Sequence, residues 1–137
     1  MVEENYWVVG AMSGGKKDML PVFLEEGYWH CWGIYEDDPN WTPQVQKQQE
    51  RMKKMKRDDF IIVKKMLGRG EKNIEIRAIG VIKDVDFVIW RVYVDWLKVF
   101  GKGEKRVPFK GAGASIHGPF THDNQWIQDI FSYLSHT

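Results

Sequence analysis

Apolar residues fall along this chain in short runs, punctuated by glycine, proline and charge. "YWVVGAM" (6–12) predicts a first strand, ended by the flexible "SGGKKD" loop. Asp18 is placed to cap a short helix through "MLPVFLEE", which Gly27 stops. "YWHCWGIY" reads as extended chain, and Pro39 and Pro43 bracket a loop holding Trp41. "QVQKQQERMKKMK" (44–56) is rich in helix formers, but its apolar stripe (Val45, Met52, Met55) is thin, which predicts a surface helix. Three strands are expected next. They are "FIIVKKML" (60–67), the alternating "NIEIRAIGVI" (73–82), and "FVIWRVYVDWLKV" (87–99) with Val88, Trp90, Val92, Val94 and Trp96 on one face. The glycine-rich, basic "GKGEKRVPFKGAGAS" then connects to a last helix capped by Asp123, where Trp126, Ile127, Ile130, Phe131 and Leu134 recur at helical spacing. Long neighbouring strands with short connections predict an α+β domain. Its sheet should be curved and mainly antiparallel, or a small barrel of five or six strands, with helices at its edge.

Size changes this picture little. The 137 residues, 43% of them hydrophobic, suit one domain, 1–137, with a real core. No run nears the roughly 20 apolar residues that span a bilayer. The opening "MVEENYWVVG" resembles no secretion signal. The single cysteine, Cys31, cannot form an internal disulfide, so a cytoplasmic location and no membrane partner are expected.

Charge changes it more. Residues 1–43 set two lysines against eight acids, whereas residues 44–110 set eighteen Lys and Arg against nine. The net of +1 therefore conceals a basic middle, the footprint of a polyanion binder or of an ordinary solvated face. Lys47, Arg51 and Lys54 share a helical face by spacing, Lys16 and Lys17 lie in the first loop, and Lys105 and Arg106 lie in the late one. Interleaved rings fit nucleic acid, because phosphates take the charge while rings stack on bases.

Catalytic chemistry finds little foothold. Zinc needs about four ligands at workable spacing, and His30 beside Cys31 has no second such pair. Cys31 lacks cationic neighbours that would activate its thiol. "SGGKK" departs from the phosphate-loop pattern, and Asp37-Asp38 and Asp58-Asp59 are adjacent pairs that point to different sides of an extended chain. No metal, cofactor or catalytic residue is assigned.

The order of segments resembles the EVE-like branch of the PUA-like superfamily, related to YTH and ASCH domains. The family's Gly-Val-Trp appears as Gly27-Tyr28-Trp29, its Met-Lys-x-Gly-Asp as Met55-Lys56-Arg57-Asp58-Asp59 followed by "FIIV", and its strand glycine as Gly80. Its Trp-x-x-x-Val-Asp strand matches Trp90 to Asp95, and the tail "SIHGPF…WIQDIF" is similar to modules fused to McrB-type restriction motors. The likeness spans residues 6–131. Asp58 stands where the family turn has glycine, and Tyr28 replaces a small aliphatic residue. The resemblance implies a non-catalytic reader of a modified nucleobase in DNA, or in RNA, serving restriction, phage defence or its evasion. Trp29, Tyr28, Trp7, Ser13, Trp32, Trp41 and His117 would form its base pocket; Lys16, Lys17, Lys47, Arg51, Lys54, Lys105 and Arg106 would meet phosphates. A restriction or defence protein is a further expected partner. Two alternatives stand beside this reading: an inhibitor that binds a protein through the same fold, and a small ASCH-like hydrolase of RNA or nucleosides.

Overall fold

The structure, a computed structural model, describes residues 3–13, 17–30, 43–68, 70–109 and 116–132. In chain order the elements are β1 (Tyr6–Gly10), β2 (Met12–Ser13), β3 (Lys17–Asp18), α1 (Leu20–Glu26), β4 (Tyr28–His30), α2 (Pro43–Met52), β5 (Phe60–Met66), β6 (Asn73–Asp86), β7 (Arg91–Val99), β8 (Arg106–Pro108), β9 (Ile116–Phe120) and α3 (Gln125–Ile130). Seven strands make one sheet in the order β4-β7-β6-β5-β1-β9, with β8 also paired to β6, while β2 and β3 form a separate ribbon. The sheet is mixed: β1 runs parallel to β5, and the other pairings are antiparallel. It is an α+β half-barrel, with more strands than expected because β8 and β9 fall in stretches read as connection and tail.

Strands β1 and β5 are apolar on consecutive positions because both of their faces are buried. Trp7, Val9, Ile61 and Val63 join the cluster with Phe23, Trp29 and Met52. Val8 and Ile62 turn the other way, into the cluster that Trp126, Ile127 and Ile130 of α3 complete. The sheet thus separates two cores. Helix α1 ends as its glycine predicts: Gly27 takes φ 75°, and its N–H returns to the Phe23 carbonyl at 2.9 Å. Asp18 accepts from the Leu20 N–H at 2.9 Å. Asn124, not Asp123, caps α3 by accepting from Trp126 and Ile127. The Asp123 carboxyl instead takes the Thr121 hydroxyl, a bond that holds it below the usual carboxylate range.

Two further expectations need correction. Helix α2 stops at Met52, short of residue 56, and Met52 and Met55 are both buried, so it lies against the core. Residues 87–90 are not strand but the turn between β6 and β7, and Val88 there is 86% exposed. Among the described residues, no helix is long and apolar enough to cross a membrane.

Candidate functional site

A buried indole N–H needs an acceptor, and this requirement explains most of the described tryptophans. Trp29 is wholly buried, and its Nε1 donates to the Gly10 carbonyl at 2.9 Å. Three strands separate β4 from β1 along the sheet order, so this bond records how far the sheet curls. Trp7 is equally buried and donates to Asp59 Oδ2 at 3.0 Å. Trp96 donates to the Phe23 carbonyl and Trp126 to the Pro108 carbonyl, both at 2.9 Å. Trp29 and Trp7 therefore offer no free ring face to a base. Their assignment to the pocket wall is corrected to core, because strand pairing turns both rings toward Phe23 and Met52.

The Met55–Asp59 motif also has a structural explanation. Asp58 adopts φ 76°, a left-handed conformation that glycine takes most readily. Asp59 is fully buried and accepts from Asn5 N at 3.0 Å, Trp7 Nε1 at 3.0 Å, Lys56 N at 3.2 Å and the Lys56 ammonium. Reading the two acids as a dispersed pair missed this hub. The signal available was a carboxylate three positions after a lysine and next to an apolar strand.

The other called residues divide by face. Tyr28 is half-buried, packs near Phe23 and His30, and carries the Arg91 guanidinium over its ring at 4.0 Å. His117 lies on β9 opposite Val8, and Lys17 is exposed on β3. Lys47 and Lys54 are exposed. Lys54 lies beyond the end of α2, so the three-cation helical face is not formed as expected. Arg51 Nη1 donates to the Ile116 carbonyl at 2.8 Å and fastens α2 to β9. Lys105 and Arg106 are placed differently: Lys105 donates to Ser132 Oγ at 2.8 Å, and Arg106 stands 4.0 Å from Glu75. Strand β8, which Arg106 opens just after Lys105, serves the α3 cluster through Val107, not the cluster around Trp29. Trp32, Trp41, Lys16 and Cys31 lie outside the described residues, and of Ser13 only the strand backbone is described.

Contacts nevertheless gather several of these positions on one rim. Trp29 reaches Gly10, Val9 pairs with Ile116, Arg51 holds Ile116, and His30 pairs with Arg91 beside the β6–β7 turn. Lys53 Nζ lies 5.8 Å from the Trp90 ring in that turn. Trp90 has φ 54° and, alone among the five described tryptophans, an indole N–H with no partner among the described residues.

Across the sheet a second recess, about 560 Å3, is lined by Tyr6, Phe60, Leu97, Lys98, His122 and Phe131. Tyr6 and Phe60 stack at 4.8 Å, and Phe131 stands edge-on to both. Burial, with Glu4 nearby, raises the Tyr6 phenol above its ordinary range. No group of three or more metal-ligating side chains occurs among the described residues. Neither a scan against protein-family models nor a search of curated proteins returns a match for this chain.

Proposed function

We propose that the protein is a non-catalytic, PUA-like reader of a modified nucleobase in DNA or RNA, in the manner of EVE-like domains. The observation that carries this reading is the convergence at the rim. The sequence between His30 and Pro43 carries Trp32 and Trp41, and it leaves β4 beside the arginine-capped Tyr28 ring. The late glycine-rich segment returns at Ile116, which Arg51 holds against α2. Since Trp7 and Trp29 are committed to the core, stacking falls to Trp32 and Trp41, and phosphate contact to Lys17, Lys47, Lys53 and Lys54. Stacking of one base on one ring is worth about 1–3 kcal/mol, enough to offset much of the cost of extruding it.

A binding screen with methylated, hydroxymethylated, glucosylated and plain oligonucleotides, single- and double-stranded, tests the reading. One modified form should bind at least about tenfold more tightly than its plain counterpart. Changing Lys47 and Lys54 to Gln should weaken binding to all sequences alike and flatten the salt dependence by about one unit of slope per lost contact. Equal affinity for every form, or none for any, would overturn the proposal.

The apolar recess beneath α3 favours a second reading, a protein-binding inhibitor or defence factor built on the same fold. That reading requires no salt-dependent affinity for any oligonucleotide, and the same screen separates the two.

A further inference from the structure

Hairpin tips are ordinarily built from glycine, asparagine, aspartate, serine or proline. The turn between β6 and β7 is instead Phe87-Val88-Ile89-Trp90. Phe87 is 37%, Val88 86% and Ile89 40% exposed, so the chain presents an apolar point to solvent. The point is held in shape: Asp86 Oδ1 accepts from the Val88 N–H at 2.9 Å and the Ile89 N–H at 3.4 Å. Trp90 closes the turn in a left-handed conformation that bulky residues rarely adopt, the kind of local strain that collects at working sites.

Charge around the point is arranged for a polyanion. Lys53 approaches the Trp90 ring, and Arg91 lies over Tyr28. Lys83 is exposed on β6, and Arg57 Nε is tied to its carbonyl at 3.0 Å. Three acids share this end and keep their charge, fewer than the four cations: Asp86 holds the turn, Asp84 Oδ1 accepts from the Val85 N–H at 2.9 Å, and exposed Asp58 donates its N–H to the Ile82 carbonyl. Proteins that distort duplexes push Phe, Leu, Ile or Met between base steps while cations hold the flanking phosphates. A base drawn out of a stack leaves a gap that such a side chain can fill. This turn adjoins the His30 end of β4, where the tryptophan-bearing segment departs.

We propose that Phe87, Val88 and Ile89 form a wedge that enters a nucleic-acid duplex and occupies the space vacated by the base the rim receives; this rests on the nucleobase-reading function above. Both the approach of cations and the position beside the rim favour a duplex over a protein partner for this tip.

The test compares wild type with the double variant Val88→Ser, Ile89→Ser, first shown to be folded by circular dichroism. Each is titrated with the best-bound modified oligonucleotide, as duplex and as single strand, with a fluorescent adenine analogue beside the modified base. The variant should lose about tenfold to a hundredfold in duplex affinity, and the fluorescence rise that reports unstacking, while single-strand affinity stays within about twofold. Unchanged duplex binding by the variant overturns the wedge alone, as does an equal loss on both forms, which would make the tip a general contact. If wild type binds neither form, the nucleobase reading falls and the wedge with it, leaving the exposed tip to a protein partner.

Discussion

Replacing Asp59 by Asn probes the buried hub most directly, since it changes chemistry with almost no change of shape. Asn5 N and the Lys56 ammonium meet Oδ1, whereas Trp7 Nε1 and Lys56 N meet Oδ2. An amide has one acceptor oxygen, so its NH2 must face two donors whichever way it turns. Each buried donor left unpaired costs about 1–3 kcal/mol. The Lys56 side chain is 38% exposed, so water recovers most of its share. The cheaper orientation therefore sets NH2 toward Asn5 and Lys56, and the net loss should be about 2–4 kcal/mol, a large part of the 5–15 kcal/mol typical of a domain. Urea unfolding followed by tryptophan fluorescence measures it. In that orientation the amide oxygen still accepts from Trp7 Nε1, so Trp7→Phe should cost the Asp59→Asn protein what it costs wild type, within about 0.5 kcal/mol. A loss below about 1 kcal/mol for Asp59→Asn would refute the hub.

Other outcomes follow from the same contacts. Trp29→Ala should cost about 3–5 kcal/mol of stability as a core deletion, and a thermal melt that leaves the midpoint unchanged would return the ring to the pocket. A Cβ on Gly80 would lie 2.4 Å from Val94 Cγ1 and 2.9 Å from the Asp95 carbonyl. Gly80→Ala should therefore destabilise by about 1–3 kcal/mol in urea titration, and a neutral result would mean that β6 and β7 are not in this register. Burial lowers the Lys64 ammonium to about 8, so between pH 8 and its ordinary 10.5 the unfolded chain binds more protons than the folded one. Stability contributed by this residue rises with pH across that window. Lys64→Met should be more stable than wild type at pH 7, and the gap between their melting temperatures should close toward pH 10.5; a gap constant with pH would contradict it.

Much of the fold could be read from residue order, and particular residues show where this stopped. Gly27 ends α1 because only a left-handed residue turns the chain there, and Ile74 and Ile76 mark β6 by sharing one core, but the irregularity opposite Val63 and Lys64 turns Ala78 to the other core and Ile79 to theirs. "FVIW" misled because an apolar run reads the same whether it lies in a strand or at an exposed tip; the difference lies in where β6 and β7 part. Trp29 misled because a glycine before it says that the chain turns, not which way the ring then faces. That depends on the curl that brings Gly10 within reach. Asp59 went unread because its donors, Asn5 and Trp7, are more than fifty positions away. Trp32 and Trp41 were named from the sequence, and the proposal still rests on them.

The parallel pairing of β1 with β5 has a consequence for how the chain is made. Tyr6 waits for Phe60 and then for Phe120, whereas β5, β6 and β7 are consecutive neighbours. Closing short loops costs less entropy than closing long ones, so the β5–β7 meander is expected to form first, with β1 added to it. On a ribosome delivering about 5–20 residues per second, the Trp7-Val8-Val9 strand is exposed for roughly 3–10 s before its first partner exists. Its most aggregation-prone interval therefore precedes that pairing, and the acidic pair just ahead of it, Glu3 and Glu4, opposes association of such strands by like charge.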